Sequence, residues 1–229
     1  MISDPPILTL RANFARPEKG LLEAFAGAPT GNVVDAMDGV GALEYSIKPL
    51  EAPSTPMVGV ALTCDCGPGD NLALFGAMSV AKPGDVLVAA AGGYKGAAVT
   101  GDLMLGMMRN IGVAGFVTDG LVRDIAGILA VGLPVFCAGV SPNSPVRNGP
   151  GTVGEPVYVG GLRIESGDIV IGDRDGIVVV PRSRAAAVLE ALSRVRESEA
   201  AIEAKIRDGL RIPDFVAGPL ASDRVHRLD

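Results

Sequence analysis

Two short stretches of the 229-residue chain combine residue types that could do chemistry. The first is Gly92-Gly93-Tyr94-Lys95-Gly96 followed by Thr100-Gly101-Asp102-Leu103-Met104, a flexible loop running into the start of a helix. The first backbone N–H groups of a helix have no intrahelical partner, and the helix dipole adds positive potential there. Such an end binds a carboxylate or phosphate without a basic side chain. A plainer reading makes Asp102 a helix cap and the glycines a turn. The second stretch is Asp119-Gly120-Leu121-Val122-Arg123-Asp124, set between the strand-like AGFVT and a helix. Ligands of α/β sheets gather beyond the carboxyl ends of strands, where Arg123 could hold an oxoacid and Asp124 a hard divalent ion. A surface turn with a salt bridge would use the same residues.

Other chemistries are thinly supplied. The one histidine, His226, lies in the C-terminal tail, which leaves no Ser-His-Asp or Cys-His pair and no His-rich metal site in the core. Neither a G-x-x-x-x-G-K-[ST] loop nor a helix-opening G-x-G-x-x-G occurs. Cys64, Cys66 and Cys137 are an odd set, and Cys64-x-Cys66 alternates like a strand, so they read as core rather than as a disulfide or zinc framework. No lysine stands before a strand end in the manner of a Schiff base. Twenty basic residues against 26 acidic ones give a net charge of −6 with no basic block, which argues against nucleic acid. The apolar runs are short, far from the roughly 18 residues of a membrane helix. The opening MISDPPILTLRANFARPEKG lacks the pattern of a secretion signal, so the expected place is the cytoplasm.

The elements that must position these residues follow from patterning. A composition of 48% apolar and 20% charged residues, with 31 Gly and 17 Pro but 4% aromatics, predicts a globular chain with a small-residue core. Residues 1–45 read as helical, with two short helices around Leu21–Ala26 and Val33–Met37. From Ser46 onward, β-branched runs (IKPL, MVGVALTCDC, DVLVAAAGG, AGFVTDG, PVFCAGV) alternate with helical stretches at Asn71–Ala81, Asp102–Ile111 and Asp124–Val131. Residues 156–181 hold no helix. Gly160-Gly161 and Asp173-Arg174-Asp175-Gly176 are hairpin turns, which predicts a small β meander packed on the α/β part. A helix over 183–208 carries Ala187, Leu189, Leu192, Val195 and Ile202 on or near one stripe, and the tail over 210–229 reads as loop. The expected organisation is one domain over 1–229, with a core at 46–181.

The two chemical stretches belong to a longer pattern. The run GDVLVAAAGGYKGAAVTGDLMLGMMRNIGVAGFVTDGLVRDIAGILAVGLPVFCAGVSPNSP, followed by GEPVYVGGLRIESGDIVIGDRDGIVVVP, resembles the 4-hydroxy-4-methyl-2-oxoglutarate / 4-carboxy-4-hydroxy-2-oxoadipate aldolase family over residues 30–210. That family includes the regulator of ribonuclease activity A and has often been mislabelled dimethylmenaquinone methyltransferase. The motifs that carry the resemblance are GDL, DGxxRD, LPVF and GDIV-x-x-D-x-DG. The tail departs from the family's usual ending, running through Gly209-Leu210-Arg211-Ile212-Pro213 to His226.

The resemblance implies a three-layer α/β/β sandwich of the ribonuclease-activity-regulator-like type with a long C-terminal helix. It implies a homotrimer or a hexamer made of two trimers, with the active site between subunits. It further implies that Gly101, Leu103 and Met104 bind the pyruvyl carboxylate through backbone N–H groups, that Arg123 meets the C2 carbonyl, and that Asp124 binds Mg²⁺ or Mn²⁺. Asp102 would hold the metal's water shell, completed by a neighbour's Glu199, with Glu197 as the other candidate. The chemistry is coherent: cleavage of a 4-hydroxy-2-oxoacid, or decarboxylation of oxaloacetate, leaves a pyruvate enolate that needs positive charge already in place. Tyr94, Lys95 and Arg147 are loop residues that could touch the substrate's far end. The rival reading is a non-catalytic protein-binding regulator. A methyltransferase finds no glycine-rich cofactor turn in this sequence.

Overall fold

Four apolar runs separated by helices dictate the centre of the molecule. The computed structural model describes residue 4 and residues 6–228, so parts of both termini discussed above lie outside the described residues. The elements in chain order are β1 (Leu8–Leu10), α1 (Lys19–Glu23), α2 (Thr30–Asp35), β2 (Lys48–Pro49), β3 (Met57–Asp65), α3 (Leu72–Val80), β4 (Asp85–Ala90), β5 (Ala98–Thr100), α4 (Asp102–Ile111), β6 (Gly115–Thr118), β7 (Leu121–Val122), α5 (Ile125–Val131) and β8 (Val135–Cys137). They continue as β9 (Gly151–Val153), β10 (Val157–Val159), β11 (Leu162–Ile164), β12 (Ile169–Gly172), β13 (Ile177–Val180), α6 (Ala185–Arg207) and α7 (Asp214–Ala221).

Strands β3, β4, β6 and β8 pair in parallel and lie side by side in sequence order. Because that order never reverses and parallel crossovers are right-handed, α3, α4 and α5 must cover one face. Alternation along each strand serves two cores. Leu87, Ala89, Phe116, Val135 and Cys137 face the helices with Leu74, Leu105, Met108 and Ile128. Val86, Val88, Val117 and Phe136 face the opposite way, onto Val157, Val159 and Ile164 of the β10–β11 hairpin. The layers are therefore helices, main sheet and small β layer, the α/β/β arrangement.

Three sequence expectations change. The first 45 residues are not all helical, because β1 forms a parallel edge strand on β9. Residues 156–181 do not form one meander: β10–β11 is a separate two-stranded layer, while β12 pairs antiparallel with β3 and carries β13, extending the main sheet. The first half of β3 faces β12 and its last residues face β9, so on the edge away from β4 one long strand serves two neighbours. The tail is not all loop, since α7 occupies Asp214–Ala221. On α6 the buried side chains are Ala185, Val188 and Leu192, packed with Phe25, Val33 and Met37, whereas Ala187 is exposed. Beyond Leu192 no side chain of α6 is fully buried. No helix among the described residues is long and apolar enough to cross a membrane.

Buried carboxylates tie the loops to this frame. Asp85, fully buried, holds both amino groups of Arg16 and the Lys82 N–H, anchoring the segment before α1. Asp70, also buried, accepts the Leu72 N–H at 2.7 Å, the Asn148 N–H at 2.6 Å and the Gly149 N–H at 3.0 Å. Burial pushes the Asp70 carboxyl upward, but these backbone donors, with that of Asn71, outweigh it and hold it below the ordinary 3.8. The segment over 146–149 is thereby clamped to the start of α3. Asp70→Ala strands three N–H groups and is expected to cost about 2–4 kcal/mol in urea denaturation at neutral pH. A carboxyl lowered on folding stabilises above its unfolded pKa and loses that contribution as pH falls through the folded one. The gap between wild type and Asp70→Ala should therefore narrow as pH drops below 3.8.

Candidate active site

The chain leaving β4 turns through Gly92 and Gly93, both at positive φ. Asp119, in the loop after β6, receives the Ala91 N–H at 2.7 Å and the Gly93 N–H at 2.9 Å, and Lys95 Nζ donates to the Asp119 carbonyl at 2.8 Å. Lys95 is thus committed to holding two loops together. Past this clamp β5 and β7 pair in parallel, with Ala98 opposite Leu121 and Thr100 opposite Val122. The Arg123 N–H then donates to the Thr100 carbonyl at 3.1 Å. Two segments read separately in the sequence consequently end side by side, Gly101-Asp102 against Arg123-Asp124.

Their approach is close enough to require glycine twice. A Cβ on Gly101 would lie 2.5 Å from Asp124 Oδ2 and 3.0 Å from Arg123 Cγ. A Cβ on Gly127, in α5, would overlap the Asp102 carboxylate. Asp102 and Asp124 therefore sit at one seam between α4 and α5. Asp124 adopts the left-handed conformation (φ 63°, ψ 48°), turning the chain sharply from β7 into α5. Its Oδ2 accepts from Arg123 Nε at 2.8 Å, while Arg123 Nη1 donates to Ser144 Oγ. The guanidinium is held from two sides, and its Nη2 has no protein acceptor among the described residues.

These groups line one cavity of about 180 Å³ with Leu103, Met104, Asn71, Ser144 and Arg147. Gly101 is the extended residue preceding α4, and Met104 is buried beneath the first turn while the Leu103 side chain is exposed. The Leu103 N–H is engaged by Asp102 Oδ1 at 2.7 Å, so an incoming carboxylate must compete with Asp102 for it. Asn71 and Ser144 escaped the reading of the sequence. Asn71 precedes α3 without capping it: Nδ2 donates to the Val99 carbonyl at 2.9 Å and contacts Met104 Sδ at 3.4 Å, while its buried Oδ1 has no partner. Nothing in the local sequence marks either residue, because each reaches the cavity only through long-range packing.

Two acidic side chains expected at the site lie elsewhere in the single chain. Glu199, on the exposed half of α6, accepts from Asn32 Nδ2 in a groove between α2 and α6 that also holds Asp35 and Asp38. Glu197 lies 3.5 Å from Ser193 Oγ. Among the described residues no group of three or more His, Cys, Asp or Glu side chains is gathered to hold a metal. Asp124 and Asp102 offer an all-oxygen pair, which suits a hard ion that keeps most of its waters. The three cysteines are free and buried. Contact with Cys66 and burial push the Cys64 thiol well up, and burial raises Cys137, so neither is a ready thiolate.

With this geometry in hand, residues 30–179 match the RraA-like family, described as Aldolase/RraA. The chain belongs to the RraA-like family. It is 37% identical over 196 residues, 86% of this chain and 93% of the relative, to a Halalkalibacterium halodurans protein named "Putative 4-hydroxy-4-methyl-2-oxoglutarate aldolase". The fold matches Streptomyces coelicolor RraAS2, described as an unusual member of the RNase ES inhibitor RraA protein family, with a TM-score of 0.75 and 27% identity over 83% of this chain and 99% of that one. The RNA-processing inhibitor RraA from Thermus thermophilis matches with a TM-score of 0.62 and 25% identity, over 67% of this chain and 93% of that one.

The backbone at Asp124 supplies a test independent of activity in this RraA-like chain. A left-handed backbone costs a non-glycine residue about 1–2 kcal/mol, least for Asn and Asp and most for β-branched side chains. In denaturant melts Asp124→Asn should match the wild type within about 0.5 kcal/mol. Asp124→Val should lose about 2 kcal/mol or more. Equal stability of the two variants would mean that the turn is not left-handed.

Proposed function

We propose that the protein is a divalent-metal-dependent carbon–carbon lyase that cleaves a 4-hydroxy-2-oxoacid, or decarboxylates oxaloacetate, through a pyruvate enolate. The observation that carries this reading is the convergence of the α4 N-terminus, Arg123, Asp102 and Asp124 on one cavity. The backbone N–H groups of Leu103 and Met104 take the substrate's C1 carboxylate, released for this purpose when Asp102 turns away from Leu103. Arg123, fixed by Asp124 and Ser144, aims its remaining N–H groups at the C2 carbonyl oxygen, where negative charge grows as the C3–C4 bond breaks. Preorganisation matters here, since a cation already held in place need not reorganise during the reaction. Asp102 accepts, through water, the proton lost from the C4 hydroxyl.

Mg²⁺ or Mn²⁺, held by Asp124 with Asp102 ordering its waters, would supply Lewis-acid charge to the same enolate. Among the described residues the single chain brings only these two carboxylates to the cavity, so a third acidic group from a neighbouring copy, Glu199 on the exposed half of α6, completes the site in a homotrimer or hexamer. The relative named as an aldolase supports the lyase reading. Likeness to RraAS2 favours a second reading, a regulator acting by contact with a ribonuclease. We place the protein in the cytoplasm, with a small 2-oxoacid as its ligand.

The deciding experiment strips the protein of metal, resupplies Mg²⁺ or Mn²⁺, and follows pyruvate from 4-hydroxy-4-methyl-2-oxoglutarate and from oxaloacetate by a lactate dehydrogenase coupled assay. Metal-dependent release is expected. Arg123→Ala should lower kcat by at least about 100-fold, because it removes charge from the developing enolate. No release from either compound by folded, metal-supplied protein would move the assignment to the contact regulator.

A further inference from the structure

The outer face of the helix layer beside the cavity is apolar and uncovered. Helix α5 has no charged side chain, and its Ile125, Ala126, Leu129 and Ala130 are exposed. It runs in step with α4: a Cβ on Gly127 would overlap Asp102, and one on Gly106 would touch Val131, four residues further along both helices. Leu103 and Met107, one turn apart on α4, are exposed as well, so the pair of helices presents an apolar ridge. Leu103, 77% exposed, also lines the cavity, which makes the ridge continuous with the rim of the candidate site. A contiguous apolar patch of this kind marks an interaction surface.

The C-terminal helix α7, DFVAGPLA, has the same character. Its one charge is Asp214 in the first turn, and none of its side chains is buried. Phe215 is 72% exposed and Leu220 is exposed beside it. Its support is the end of α6, where Ile202, Lys205 and Leu210 line a small cavity with Phe215. The arm that carries α7 is rooted away from the ridge. The start of α6 packs with Phe25, Val33 and the strands β12 and β13, whereas α4 and α5 cover a separate core over β4, β6 and β8.

We propose that α7 of one copy docks on the α4–α5 ridge of a second copy, as a strap that covers the rim of the neighbour's cavity at Leu103. Strap and seat are both apolar and nearly uncharged helices about 10–12 Å long, so neither leaves an unpaired ion beneath the other. They belong to separate cores of one chain, which makes the contact heterologous; repeated around a closed ring, it uses every strap and every seat. Glu199 lies on the same arm. A Glu199 that enters a neighbour's cavity carries Ile206, seven residues on and on the same stripe, to about 10 Å from that cavity, and α7 follows directly. This last argument rests on the reading above that Glu199 serves a neighbouring copy.

The test joins two copies covalently. A tagged Phe215→Cys chain is co-expressed with an untagged Met107→Cys chain, and in a second preparation with an untagged Leu129→Cys chain. Mild oxidation is followed by a non-reducing gel. The three native cysteines are buried and do not compete. At least one pair should give a tagged–untagged disulfide, a product that only two copies can form; its absence from both preparations of folded protein overturns the proposal. Phe215→Glu, at an exposed position that spares the fold of the single chain, should raise the concentration at which the assembly dissociates in sedimentation by about 10- to 100-fold, the worth of one buried phenylalanine. An unchanged dissociation midpoint overturns the strap, as does a monomeric wild type. Should the cross-link form while Glu199→Gln leaves metal-dependent pyruvate release unaltered, the role of Glu199 in the neighbour's site fails and the strap stands.

Discussion

The pairing of β5 with β7 is the constraint on which the site depends. Neither strand exceeds three residues, and neither belongs to the main sheet. Both continue directly into the segments that carry chemistry, so their few backbone hydrogen bonds convert two loops into one wall. Such short strands hold register only if the chain on either side is fixed. Here Asp119 fixes the entry to β5, and the Gly139 and Ser141 backbones fix β7 from its other side by exchanging hydrogen bonds with Val122. The approach that results leaves no space for a Cβ at Gly101 or Gly127.

Carboxylates recur as the means of fixing irregular backbone in this acidic chain. Asp70, Asp119, Asp168 and Asp173 each accept two or more hydrogen bonds from donors in loops, turns or the first turns of helices. The balance differs from case to case. At Asp70 the donors outweigh burial and the pKa falls. At Asp168 burial outweighs the N–H groups of Glu165 and Arg182, and the pKa rises. A carboxylate whose oxygens are taken up by protein donors has few acceptor sites left to offer a ligand. Asp102 and Asp124, in contrast, each keep an oxygen without a protein donor among the described residues, and both line the cavity.

A net charge of −6 does not bar the proposed anionic ligand. Net charge governs long-range attraction, whereas the binding site is governed by a few fixed dipoles and cations at short range. The cavity sets the backbone N–H groups at the start of α4 and the guanidiniums of Arg123 and Arg147 beside the carboxylates of Asp102 and Asp124. The shared fold by itself does not choose between an enzyme and a contact regulator.

The sequence determined the parts whose signal is local. Periodicity marked β3, β4, β6, β8 and the helices between them, because each repeats its pattern long enough to be read, and the order of those elements dictates a parallel sheet with helices on one face. Residue type offered Asp102, Arg123 and Asp124 as candidates but served a helix cap and a surface salt bridge as well, and it was the longer family-like pattern that favoured the chemical reading. Tertiary structure decided the rest. Strands of two or three residues such as β1, β5, β7 and β9 have no period, and exist only because a partner distant in sequence supplies their hydrogen bonds. Asn71 and Ser144 reach the cavity for the same reason. Their neighbours in the chain say nothing about a wall that forms only when α3, β7 and the Asp70-clamped loop are brought together.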